Sequence, residues 1–161
     1  MATPFNADEI FEMAEQIERN GAKFYRTAAK KFPDIAPVLL DLARMEDDHQ
    51  KTFAAMRTEL SGGELEMPVY DPDGEVHMYL RVMADGHVFD LTADPARQLA
   101  DKKTPEDVIK MAMRAERDSI AFYVGLKESV PQKAGKDKVE TIIKEEMGHM
   151  AILNEKLQAL K

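Results

Sequence analysis

Four stretches of the chain carry apolar residues at the three-to-four-residue spacing of a helix that buries one face. Phe11, Ala14, Gly21, Tyr25 and Ala28 form the first stripe, and Ile35, Leu39, Leu42, Phe53, Met56 and Leu60 the second. Ile109, Ala112, Ser119, Tyr123 and Leu126 form the third, and Val139, Ile142 and Leu153 the fourth. The spacing predicts helices over about 7–30, 35–61, 105–127 and 136–159. Boundary signals agree. Asn6 with Glu9 reads as a capping box, Asp8 complements the helix dipole, and Lys30-Lys31 with Pro33 ends the first helix. The second begins between Asp34 and Pro37 and stops at Gly62-Gly63; Thr104-Pro105 with Asp107 opens the third; Pro131 to Gly135 separates the third from the fourth. The remaining stretch, about 62–104, holds Pro68, Pro72, Gly74, Gly86 and Pro95 as breakers. Within it Val76, Tyr79, Leu80 and Met83 predict a short helix over about 75–84, before an Asp85-Gly86 turn.

Short connections make helices one and two, and helices three and four, antiparallel neighbours, and the long crossover can return along the full height of a bundle. The expected fold is therefore all-α: a four-helix bundle of two antiparallel hairpins in one domain spanning 1–161. The halves are duplicated. Met13-Ala14, Glu18 and Phe24-Tyr25 match Met111-Ala112, Glu116 and Phe122-Tyr123 at one fixed offset, and Glu46 with His49 matches Glu146 with His149 at a similar one.

Each stripe is interrupted by ionisable residues: Glu18, then Glu46 and His49, then Glu116, then Glu146 and His149. Burying an unpaired carboxylate costs several kcal/mol or more, so these six side chains require partners inside the core. No lysine or arginine occupies the stripe positions around them. Residues three apart on a helix project from one face, so each E-x-x-H offers an oxygen and a nitrogen donor to one centre. Supplied as Glu, E-x-x-H, Glu, E-x-x-H, they form the ligand arrangement of a dinuclear carboxylate site in a four-helix bundle, and two divalent ions neutralise four carboxylates. Tyr25 and Tyr123, two turns beyond Glu18 and Glu116, either reach a ligand carboxylate or its neighbour with their hydroxyls, the preferred reading, or simply pack in the core. Gly21 and Ser119 are small enough either to leave open coordination positions and a channel or to permit close helix approach. Glu15, Asp48 and Glu145 neighbour the motifs and could substitute as ligands or orient a histidine, but are placed on solvated or boundary faces. His77 and His87 are expected at the surface, while Met13, Met56 and Met111 fall at core positions.

Composition narrows the chemistry. Among 161 residues the formal net charge is −8, with 44% hydrophobic and 32% charged residues and no cysteine. The acidic balance argues against nucleic acid, which needs clustered Lys and Arg. No stretch reaches the length of a membrane span and the N-terminus lacks a signal pattern, so the expected location is cytoplasmic. Without cysteine, disulfides and Fe–S ligation are excluded, and a metal must be held by oxygen and imidazole nitrogen. That donor set suits iron or manganese and admits zinc.

The segments Ile17 to Tyr25, Glu46 to His49, Ala115 to Tyr123 and Glu146 to His149 resemble those of the ferritin-like, rubrerythrin-type di-iron proteins. The resemblance implies two iron ions per chain, bridged by Glu46 and Glu146, with Glu18 and Glu116 as terminal ligands and His49 and His149 each on one ion. It implies a redox protein that oxidises Fe(II) with dioxygen or peroxide, or reduces peroxide with an external electron donor. The alternatives are a non-catalytic, iron-sequestering metal binder and a helical interaction module whose buried acids pair with basic residues. Two departures stand out: Ser119 occupies the position of a further glutamate in typical rubrerythrins, and the Cys-rich rubredoxin domain is missing. The reductant is then another protein or a small molecule. Tyr79, Leu80, Val88 and Phe89 are expected to be exposed on the crossover, which predicts a homodimer or larger assembly.

Overall fold

A computed structural model of the chain describes residues 5–60, 71–84, 94–130 and 132–161. Every regular element among the described residues is helical: α1 (Ala7–Lys31), α2 (Ala36–Glu59), α3 (Glu75–Ala84), α4 (Pro95–Gln98), α5 (Pro105–Ser129) and α6 (Lys136–Ala159). The expected boundaries agree to within about two residues. Asn6 Oδ1 accepts the Glu9 N–H at 2.8 Å while Glu9 returns a carboxylate to the Asn6 N–H at 3.0 Å. Thr104 and Asp107 cap α5 in the same reciprocal way. Short 3-10 turns at Pro33–Ile35 and Gln132–Ala134 close the two hairpins. At the second, Gly135 takes φ +99°, a left-handed conformation that a side chain would strain.

α1 packs along α2 and α5 along α6; fewer contacts join α1 to α5 and α2 to α6. The apolar stripes separate into two clusters. Phe11, Ala14, Phe53, Met56, Tyr123, Leu126, Val139 and Ile142 form one, and Tyr25, Ala28, Leu39, Leu42, Ile109, Ala112 and Leu153 the other. Each α1 residue before Glu18 shares a cluster with α5 residues beyond Glu116, so these two helices run antiparallel; α2 and α6 do the same about their E-x-x-H segments. The ionisable residues therefore occupy one layer with apolar packing above and below. Each fully buried Phe or Leu stabilises the folded state by about 1.5–3 kcal/mol, which holds that layer dry.

The crossover corrects several expectations. α2 ends at Glu59, where Leu60 turns to an extended ψ of 138°. Gly62, Gly63, Pro68, Asp85, Gly86, His87, Val88, Phe89 and Pro131 lie outside the described residues. Leu80, expected to be exposed, is only 1% exposed. α3 lies against α5, where Gly125 permits contact: a Cβ there would stand 2.7 Å from the Tyr79 ring. The Tyr79 hydroxyl donates to the Ala121 carbonyl at 2.6 Å. His77, expected at the surface, is half-buried; its Nδ1 accepts the Phe5 N–H at 3.2 Å. Pro95, read as a breaker, instead starts the short α4, whose first turn is capped by Asp94 through the Ala96 N–H at 3.1 Å. No described helix is long and apolar enough to cross a membrane.

Candidate metal centre

All six inward-facing residues meet in the central layer: Glu18, Glu46, His49, Glu116, Glu146 and His149 are each at most 4% exposed. They divide into two groups, Glu18–Glu46–His49–Glu146 and Glu46–Glu116–Glu146–His149, in each of which the donor atoms lie within 4.8 Å of one another. Glu46 and Glu146 belong to both. His49 Nδ1 is 3.0 Å from Glu146 Oε1 and 3.6 Å from Glu18 Oε2. His149 Nδ1 is 2.8 Å from Glu146 Oε2, 3.1 Å from Glu46 Oε1 and 3.6 Å from Glu116 Oε1. The two imidazole rings stack at 5.4 Å.

Of these short distances, the one between His49 Nδ1 and Glu146 Oε1 is a hydrogen bond, but many donor atoms of the layer lack one. Glu18 Oε2, Glu46 Oε1, Glu116 Oε2, Glu146 Oε2 and both His149 nitrogens are buried with no hydrogen-bond partner among the described residues. Such atoms crowd a common space without pointing at one another. A buried unsatisfied polar atom costs about 1–3 kcal/mol, so a layer holding several requires another partner. Among the described residues, no lysine or arginine forms an ion pair with any of the four glutamates; their close cationic neighbours are the two histidines. Pairing with basic side chains therefore does not account for the layer, whereas carboxylate and imidazole donors converging in two overlapping groups fit divalent cations.

The tyrosines bind reciprocally across the bundle. The Tyr25 hydroxyl of α1 donates to Glu116 of α5, and the Tyr123 hydroxyl of α5 donates to Glu18 of α1. Burial, then the neighbouring carboxylates, push both phenols far above their usual range, so they remain donors. Burial and then the charges of Glu146, Glu116 and Glu18 raise the Glu46 carboxyl well above the ordinary range. Burial and the Glu146 charge raise Glu116 to about 8. For the histidines burial acts downward but is outweighed: Glu146 and Glu18 bring His49 to about 11, and Glu116 and Glu146 bring His149 to about 9. Without cations, Glu46, Glu116 and the two histidines thus hold their protons to higher pH than usual.

Of the two readings open for Gly21, the close approach of helices holds: a Cβ there would sit 2.9 Å from Glu46 Oε2, and that carboxylate takes the space. Ser119 is buried and donates its hydroxyl to the Ala115 carbonyl at 3.1 Å. Glu15 is not solvated: it is 7% exposed and is met by Arg19, Gln50 and Arg57. Asp48 is exposed and pairs with Lys51 at 2.9 Å. Glu145 combines an exposed stem with a contact to the centre, its Oε2 lying 2.8 Å from His49 Nε2. A comparison of the duplicated halves holds the signal for it, because the matching position in the first half is Met45. A cleft of about 280 Å³ opens between α2 and α6 on this histidine side, lined by Met45, Asp48, His49, Glu145, Gly148, His149 and Ile152.

The Rubrerythrin family model matches residues 9–157, nearly the whole chain. The protein belongs to the rubrerythrin family. Among solved structures it is similar to a Thermotoga maritima protein provisionally described as a ferritin-like diiron-carboxylate protein, at a TM-score of 0.77 and 23% identity, with all of both chains covered. That likeness shows the fold. No curated protein sequence matches significantly. Membership of the rubrerythrin family and the convergent Glu and His donors together support a metal site in the central layer.

Proposed function

We propose that this rubrerythrin-family chain is a di-iron redox protein that oxidises Fe(II) with dioxygen or peroxide, or reduces peroxide with electrons from an external donor. The observation that carries this reading is the pair of buried donor groups sharing Glu46 and Glu146. Those two carboxylates would span two iron ions, with Glu18 and His49 completing one side and Glu116 and His149 the other. Bound iron supplies Lewis acidity and electron transfer toward dioxygen or peroxide. The protein's own contribution is positional and electrostatic. Tyr25 and Tyr123 hold Glu116 and Glu18 by hydroxyl hydrogen bonds. The apolar clusters exclude bulk water, and the cleft beside His49 and His149 offers a small oxidant a way to the centre from that side. The electron donor is a separate protein or small molecule. Met78, Tyr79 and Val82 on α3, with Val124 on α5, leave apolar surface exposed, which favours a homodimer or larger assembly.

Metal analysis after anaerobic iron loading, followed by stopped-flow consumption of dioxygen or peroxide with and without a reductant, tests the proposal. Two irons per chain with oxidant consumption are expected. Two irons without turnover would replace redox chemistry by sequestration, and one or none in a folded chain would overturn the dinuclear assignment. Sedimentation at micromolar concentration that finds only monomer would reject the assembly.

A further inference from the structure

The two halves of the layer are duplicated in sequence but are not surrounded alike. His49, buried, presents Nδ1 to Glu146 and Glu18, while its Nε2 faces Glu145 across the α2–α6 boundary at 2.8 Å. His149 presents Nδ1 to Glu146, Glu46 and Glu116, but its buried Nε2 has no hydrogen-bond partner among the described residues. The residue that repeats the position of Glu145 in the first half is Met45, which lines the same cleft and carries no oxygen acceptor. The other cleft carboxylate, Asp48, is engaged by Lys51.

An imidazole whose outer nitrogen donates to a carboxylate is fixed in one tautomer, with its inner lone pair directed at the cation, and is a stronger donor; losing such a partner typically weakens metal binding by about 10–100-fold. We propose that Glu145 is a positioning residue for His49 and makes the centre unequal. The first divalent ion is taken at Glu18–Glu46–His49–Glu146, and the second, more weakly, at Glu46–Glu116–Glu146–His149. The inference rests on the dinuclear reading above. Because the Glu145 side chain is 55% exposed, its replacement leaves the packed core untouched.

Titration of the metal-free protein with cobalt(II), followed by visible absorption and calorimetry, tests this without reference to activity. The wild type is expected to bind two ions in steps at least about tenfold apart. Glu145→Ala should weaken the tighter step by about 10–100-fold and leave the other in place. Glu145→Gln keeps an acceptor oxygen and should fall between wild type and Glu145→Ala, a graded order that a packing role would not give. Met45→Glu should tighten the weaker step. Two equal steps in the wild type, or equal weakening of both steps by Glu145→Ala, would overturn the inference while the dinuclear reading stands. Binding of a single ion would overturn the dinuclear reading, and the response of that ion to Glu145→Ala still decides the role of Glu145. No binding would overturn both.

Discussion

Raising the pH of the metal-free protein perturbs the central layer without any mutation. Glu116 ordinarily titrates near 4.5 and is raised to about 8 in the folded chain by burial and the Glu146 charge. Between those values the folded chain keeps a proton that the unfolded chain has released, so stability falls as pH rises through the interval. At about 1.4 kcal/mol per pH unit, the interval corresponds to roughly 5 kcal/mol. His149, raised from 6.5 to about 9, adds a loss of the same sign between those values, and Glu46 acts in the same direction as Glu116. The total stability of a small domain is about 5–15 kcal/mol, so a loss of this order is readily measured in denaturant unfolding.

Bound cations should reverse the trend. The two raised glutamates and two imidazolium rings hold about four protons that must leave when two divalent ions bind, and metal affinity therefore rises with pH. Ions that favour the folded chain stabilise it by mass action, and the gap between loaded and metal-free protein should widen from pH 5 to pH 8. Denaturant unfolding of chelated and loaded samples at pH 5, 6, 7 and 8 measures both slopes. The acids held below their ordinary values, Asp8 by Arg57, Asp48 by Lys51 and Asp107 at its cap, titrate below this range and do not obscure it. A chelated protein as stable at pH 8 as at pH 5 would refute the reasoning, because the buried carboxyls would then not be holding protons.

Tyr25→Phe and Tyr123→Phe each remove one hydroxyl donor to a buried glutamate, and each should lower the stability of the chelated protein by about 1–3 kcal/mol in denaturant unfolding. A change below the precision of that measurement would show that the cross-bundle hydrogen bonds are weak. Gly21→Ala raises helix propensity by about 1 kcal/mol but places a Cβ 2.9 Å from Glu46 Oε2. Metal-free stability should change little while cobalt(II) affinity falls about tenfold or more; unchanged affinity would mean that Glu46 moves aside freely. Glu46→Ala should abolish the metal-induced rise in melting temperature and leave the chelated protein as stable as wild type or more so, whereas a full metal-induced shift would remove Glu46 from the ligand set. Glu15→Ala should keep that shift but lower stability by about 1–3 kcal/mol, since it strips a buried acceptor from Arg19, Gln50 and Arg57.

The helices and the ionisable layer were legible because both depend on local spacing. One acid on the inward face of each of four apolar stripes, with a histidine three residues on in two of them, has few structural meanings, and the caps at Asn6 and Thr104 are written in residues three apart. What remained hidden depends on how helices rotate and approach. Glu145 points outward by its own helix periodicity, and only the position of α2 beside α6 brings it to His49. Glu15 is buried by Arg57 from α2, and Leu80 by the fit of Tyr79 over Gly125 on α5. The four residues of Pro95–Gln98 are too few to show a helical period.

Duplication together with antiparallel packing explains why the halves depend on each other. Each donor group takes three residues from one hairpin and one from the other: Glu146 joins Glu18, Glu46 and His49, and Glu46 joins Glu116, Glu146 and His149. The tyrosine hydrogen bonds cross between hairpins in the same reciprocal sense. Neither hairpin alone presents a complete group, so assembling the layer and docking the hairpins are one event. The six candidate ligands are the same in the two halves, while the residues around them differ, with Glu145 matched by Met45, Gly21 by Ser119 and Glu15 by Met113. Substitutions that exchange an acceptor for a thioether, or a glycine for a serine, leave the donors in place but change the basicity and room of each half. A centre built from identical ligands can in this way hold two ions on unequal terms, as a reaction that treats its two metals differently would require.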